Sequence, residues 1–172
     1  ISMKKIHLLR HAKSSWGDAS LADIDRPLNK RGVNTAAFMA AHLVKAACSF
    51  ERVFCSPAAR AQSTIHLISQ HLPDIDFTWV TAKELYTFDH QTLLEWFKNL
   101  DNSIDELLVI GHNPAFTLLC NQLSHGDIQN IPTCGYVQLN ARHECTWQTM
   151  SETPFELSVF LRPKILMDEN DS

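Results

Sequence analysis

Three short stretches of this sequence hold side chains suited to chemistry at phosphorus: Arg10-His11, Ser56-Pro57-Ala58-Ala59-Arg60 and Gly111-His112-Asn113-Pro114. A guanidinium grips a tetrahedral oxyanion through paired, charge-assisted hydrogen bonds. A neutral imidazole held beside such an anion can attack it, and the covalent intermediate divides one difficult step into two easier ones. Arg60 falls in the first turn of an expected helix, where the helix dipole disfavours a cation, and a nearby anion would remove that conflict. Taken alone, His11 is an ordinary histidine at a strand end, and Gly111 to Pro114 an ordinary tight turn. The three stretches together outweigh that account.

The stretches gain force from where the surrounding pattern puts them. Apolar runs at Lys4 to Arg10, Arg52 to Cys55, Phe77 to Val80, Glu106 to Ile110, Tyr136 to Asn140 and Phe155 to Leu161 predict six strands. Between them, Ala36, Met39, Ala40, Leu43, Val44 and Ala47 share one helical face. So do Ala61, Ile65, Ile68 and Leu72, then Leu93, Trp96, Phe97 and Leu100, then Phe116, Leu119, Cys120 and Leu123. Ser56-Pro57 and Asn113-Pro114 read as caps followed by proline at the first helical position. Strands alternating with helices predict an α/β fold, a three-layer α/β/α sandwich on a mainly parallel sheet. In such sheets the ligand lies beyond the carboxyl ends of the strands, where all three stretches fall.

Composition bounds the alternatives. The chain has 172 residues, 45% hydrophobic and 20% charged, which fits one globular domain with its own core, assigned to residues 3–164. Ile1 and Ser2 ahead of Met3 read as a cloning remnant, and residues 165–172 as a frayed acidic tail. A net charge of -4 argues against nucleic acid or an anionic membrane as partner, so any anion site must be local. The absence of a membrane-length apolar run or a secretory leader points to the cytoplasm. Five scattered cysteines suggest reduced, mostly buried thiols, and no metal-ligand spacing is evident among the nine histidines. The histidines outside the three stretches, including His7, are expected on surfaces or helix faces, and the four tryptophans in packing roles. Trp16 is set apart as a residue that could line the mouth of a pocket. Arg26 could pair with Asp23 or Asp25, or bind phosphate. Ser56 reads as a cap.

Leu9-Arg10-His11-Ala12-Lys13, Ser56 to Ala61 and Gly111 to Pro114, together with Asp25-Arg26-Pro27-Leu28 and Arg31-Gly32, resemble the motifs of the histidine phosphatase superfamily, the phosphoglycerate mutase-like fold. The likeness is greatest to its short phosphohistidine phosphatase branch. It implies His11 as the nucleophile that becomes phosphorylated, Arg10 and Arg60 as clamps on the phosphoryl oxygens, and His112 as a stabiliser of the transition state. Glu84, after the third strand, would be the matching acid, with Asp18 as a second candidate. Asn113 and Ser14 are further candidates for contact with substrate. The resemblance implies a metal-independent hydrolase with no cofactor, acting on a phosphohistidine-bearing protein such as a phosphotransfer domain. The alternatives are a small-molecule phosphomonoesterase, and a phosphate-binding module without turnover.

Overall fold

The computed structural model describes residues 3–170, so the reading of residues 1 and 2 lies outside it. The six strands are β1 (Lys5–Arg10), β2 (Val53–Cys55), β3 (Val80–Thr81), β4 (Glu106–Gly111), β5 (Tyr136–Ala141) and β6 (Phe155–Leu161). They form one sheet in the order β3-β2-β4-β1-β5-β6. The first four in that order run parallel, while β5 pairs antiparallel with β1 and with β6.

Helices α1 (Lys30–Lys45) and α2 (Ala59–Gln70) cover one face, packing with Leu9, Cys55, Leu108 and Ile110. Helices α3 (His90–Lys98) and α4 (Ala115–Ser124) cover the other, with Ile6, Leu8, Leu107 and Val109. Successive residues of β1 and β4 thus enter opposite core layers, as the two-residue period of a strand requires. This is the expected three-layer sandwich. Because β4 is buried on both faces after Glu106, Leu107 to Ile110 read in sequence as an unbroken apolar run.

Several local expectations need correction. The apolar segment Phe77 to Val80 gives only a two-residue edge strand, because Phe77 packs its ring on Phe50 and against Trp79 instead of joining the ladder. Val44 is exposed, and Ala47 lies beyond the end of α1 with φ 61°, so the buried face of α1 stops at Leu43. His7 is fully buried, its ring nitrogens 2.5 Å from the Tyr136 hydroxyl and 2.6 Å from Glu106 Oε2. The acidic tail expected to fray is helical as far as it is described, as α5 (Pro163–Asn170).

The ladder register positions the functional stretches. Arg10 pairs with Gly111, and Cys55 with Ile110, so β1, β4 and β2 end abreast. Pairing continues one step further, with the His11 amide donating to Gly111 O at 3.1 Å and the Ser56 amide to Ile110 O at 3.0 Å. The start of α1 presses on the segment after β1: a Cβ at Gly32 would stand 2.1 Å from the Lys13 carbonyl oxygen. Gly32→Ala should therefore lower the free energy of unfolding by about 1–3 kcal/mol, read from urea melts of unchanged slope.

Candidate functional site

His11 follows the last residue of β1 and is 7% exposed. Its Nδ1 lies 2.6 Å from the Ala12 carbonyl. A carbonyl only accepts, so Nδ1 carries the proton and Nε2 is left with its lone pair. The Ala12 amide donates to Thr64 Oγ1 at 2.9 Å, and that hydroxyl donates to Arg60 O at 2.7 Å. Thr64, one turn along α2 from Arg60, thereby ties the His11 loop to the helix that carries the arginine.

His112 sits 5.2 Å from His11, ring centre to ring centre, and is 1% exposed. Its Nε2 is 2.7 Å from Ser56 Oγ, which also accepts the Ala58 amide at 3.2 Å. Ser56 is therefore not the helix cap it resembled. Its own amide still belongs to the ladder, α2 begins at Ala59, and its hydroxyl serves the imidazole. Tyr86 and Phe88 stand edge-on to His112, each with ring centres 5.5 Å away.

Arg10 donates from Nη1 to Ile131 O at 2.8 Å. Arg60 is fixed at both outer nitrogens: Nη1 donates to Asp23 O at 2.7 Å, and Nη2 pairs with Asp23 Oδ2 at 2.9 Å. Tyr86 OH donates to that same Oδ2 at 2.5 Å, while Oδ1 takes Arg26 Nε at 3.1 Å. Of the alternatives open for Arg26, the structure shows the pair with Asp23. Arg26 also donates to Ser14 Oγ, and its guanidinium lies 3.5 Å from the centre of the Trp16 ring, which is itself 79% exposed.

Burial is the main force that disfavours the charged forms of both imidazoles, and the positive charges of Arg60 and Arg10 add to it. The Ala12 hydrogen bond offsets part of this at His11, whose pKa falls to about 4; His112 falls to about 3, with the His11 charge a further cause. Burial pushes the Asp23 carboxyl up. Hydrogen bonds from Tyr86 and Arg60, the Arg60 charge and the bond from Arg26 outweigh that and hold it down at about 2.

Four of the expected residues, Arg10, His11, Arg60 and His112, meet around one space at the carboxyl ends of the strands. The others do not join them. Glu84 is exposed in the 3-10 turn Lys83–Leu85 and makes no hydrogen bond or ion pair among the described residues. Asp18 is turned to Ser20, bonding its amide and its hydroxyl. Asn113 has its polar atoms committed: Nδ2 donates to Asn130 Oδ1 and Ile131 O, and Oδ1 accepts from the Thr117 amide and hydroxyl. It caps and ties a loop and leaves no donor for a ligand. Asp23, Tyr86, Phe88 and Thr64 join the cluster without a motif in the sequence to mark them: Asp23 shows there only as a partner for Arg26, and Tyr86 lies two residues from Glu84. Among the described residues, no group of three or more His, Cys, Asp or Glu is placed to hold a metal ion.

The family model described as the histidine phosphatase superfamily (branch 1) matches residues 6–93. An uncharacterized protein of Mycobacterium leprae is 28% identical over 168 residues, covering 91% of this chain and all of that one. Among solved structures, a candidate phosphohistidine phosphatase SixA from Nakamurella multipartitia superposes with a TM-score of 0.78 at 21% identity, over 95% of this chain and 98% of that one. A protein histidine phosphatase SixA complexed with tungstate gives 0.76 at 22% identity, over 94% and 99%. These last two likenesses establish the fold.

Both depressed histidines carry a linked expectation. The ordinary value is 6.5, so between there and about pH 4 the unfolded chain binds more protons than the folded one. Stability must then rise with pH across that window and fall as the solution is acidified. Proton NMR of the ring signals should show His11 and His112 neutral at pH 5.5, and urea melts at pH 5 and 7 should give the greater stability at pH 7.

Proposed function

The chain belongs to the histidine phosphatase superfamily, branch 1, and on that premise we propose that it is a phosphohistidine phosphatase working through a phosphorylated His11. One observation carries the reading. Among the described residues, the buried side-chain nitrogens without a hydrogen-bond partner are Arg10 Nε, Arg60 Nε and His112 Nδ1. A buried donor left unpaired costs about 1–3 kcal/mol, so two guanidinium N–H groups and one imidazole nitrogen without partners suit a site that a tetrahedral oxyanion would satisfy. The tungstate complex of the related fold suits this reading, since tungstate is such an oxyanion.

The roles follow from the hydrogen bonds. His11 Nε2 offers its lone pair to phosphorus while Nδ1–H stays on the Ala12 carbonyl. The new N–P bond forms as the P–N bond to the substrate imidazole breaks, and that bond's electrons leave with the departing ring. A substrate ring protonated at its second nitrogen departs as neutral imidazole, so this step needs no carboxylic acid. That agrees with Glu84 and Asp18 lying apart from the cluster. Water then attacks phospho-His11, its oxygen joining phosphorus while the N–P bond electrons return to Nε2, and inorganic phosphate is released. Arg10 and Arg60 hold the equatorial oxygens through both steps. If Ser56 donates its hydroxyl hydrogen to His112 Nε2, the neutral ring carries its own proton on Nδ1 and can donate it to a phosphoryl oxygen. Burial supports this chemistry by keeping both imidazoles unprotonated.

The test is brief incubation with a phosphohistidine peptide, rapid quench and mapping of the label. Phosphate is expected on His11, and His11→Ala should lose at least ~10³-fold in rate. Label on any other residue overturns the mechanism. Turnover of p-nitrophenyl phosphate or sugar phosphates but not of phosphohistidine peptides assigns a phosphomonoesterase, and tight phosphate binding with no turnover assigns a binding module.

A further inference from the structure

On segments that adjoin His11 and Ile131 in the chain lies a concavity of about 430 Å³, lined by Lys13, Arg31, Lys164, Thr35, Thr133 and Asp168 along with Pro132, Pro163 and Met167. Three cations face one carboxylate there, in a chain whose net charge is -4. None of the three makes a side-chain hydrogen bond or ion pair among the described residues. Two of them stand where a cation is least welcome. Arg31 is in the first turn of α1 and Lys164 in the first turn of α5, and neither turn contains an acidic residue. The free amides and the positive dipole end of each helix add to the charge of the side chains instead of offsetting it.

This concavity is linked to the catalytic residues through the backbone. Lys13 comes two residues after His11, and its carbonyl accepts the Asn29 amide at 3.0 Å while Gly32 packs against it. Pro132 and Thr133 follow Ile131, whose carbonyl holds Arg10. They precede Cys134, whose amide donates to His11 O at 2.9 Å. The lining of the concavity therefore adjoins, along the backbone, the segments that hold His11 and Arg10.

We propose that the pocket of Lys13, Arg31 and Lys164 is an anion subsite, receiving a carboxylate or phosphate group while a phosphoryl group occupies the catalytic site. The inference rests on the reading of His11 as the phosphoryl acceptor only where it concerns the substrate. The anion has two possible sources: an acidic side chain near the phosphohistidine of the substrate, or a free small oxyanion. The observations favour the first, because the cations lie at the surface and adjoin the residue that reacts.

The test compares the wild type with the double variant Arg31→Gln and Lys164→Gln, neither of which touches the catalytic cluster. Two phosphohistidine peptides serve as substrates, one with glutamates flanking the histidine and one with glutamines there. The wild type should show a KM roughly three- to tenfold lower for the glutamate peptide, and the double variant should lose that preference with kcat unchanged. Acetyl phosphate should be turned over equally by both proteins. A control pair, Lys45→Gln and Arg52→Gln, removes the same charge at the far end of α1 and at the start of β2, and should keep the preference. Calorimetric titration with inorganic phosphate reads the other source: two binding events in the wild type and one in the double variant, without any flanking preference, assign the pocket to a free anion. Loss of preference in the control pair, or neither a preference nor a second phosphate event in the wild type, overturns the proposal. If no phosphohistidine peptide is turned over by the wild type, the proposed function fails, while the phosphate titration still decides whether the pocket binds anions.

Discussion

Burial of the Arg60 guanidinium is the constraint around which this end of the molecule is built. The residue is 2% exposed, and a cation taken so far from water must have its charge and its N–H groups answered. Asp23 answers both, through its main-chain oxygen and one carboxylate oxygen. The other carboxylate oxygen draws in Arg26, and Arg26 in turn fixes Ser14 and stacks on Trp16. Tyr86 closes the same carboxylate from the far side and brings Phe88 against His112. A long irregular segment after β1 and a loop after β3 are thereby held in place by one ion pair.

Electrostatics and geometry then work together. With guanidinium groups on two sides and little water, an imidazolium is strongly disfavoured at either histidine. Burial and the guanidinium charges therefore keep both rings neutral. An incoming dianion would offset the guanidinium charges and make it easier for the same rings to bear positive charge as bonds rearrange. Ladder register does the rest: three parallel strands ending level bring residues from three distant parts of the chain to one end of the sheet.

What could be read in the sequence is what strand ends and helix starts impose locally. Arg10, His11, Arg60 and His112 were legible because each lies at a strand end or helix start, within one of three short motifs. The three-layer sandwich was legible because β4 is unbroken and apolar while the helices keep one apolar face. What escaped depends on contacts between segments without regular structure. Asp23 reaches Arg60 across 37 positions, and Tyr86 reaches Asp23 across 63, and neither pairing leaves a periodic trace. Ser56 misled for a related reason. A serine before a proline looks the same whether its hydroxyl caps a helix or supports an imidazole, and only the position of β4 beside β2 decides between them. Phe77 misled because an apolar run cannot reveal whether its rings will join a ladder or cover an edge.

The bond from His11 Nδ1 to the Ala12 carbonyl has an evolutionary corollary. The acceptor that selects the reactive tautomer belongs to the main chain, so no single codon change can delete it. Drift at position 12 is limited by the space around the side chain and not by proton placement. Tuning of this imidazole must then come from substitutions elsewhere, chiefly those that shift the charge or the hydration around the ring. A lineage carrying this arrangement can diversify its rim while the placement of the proton on this ring is inherited unchanged.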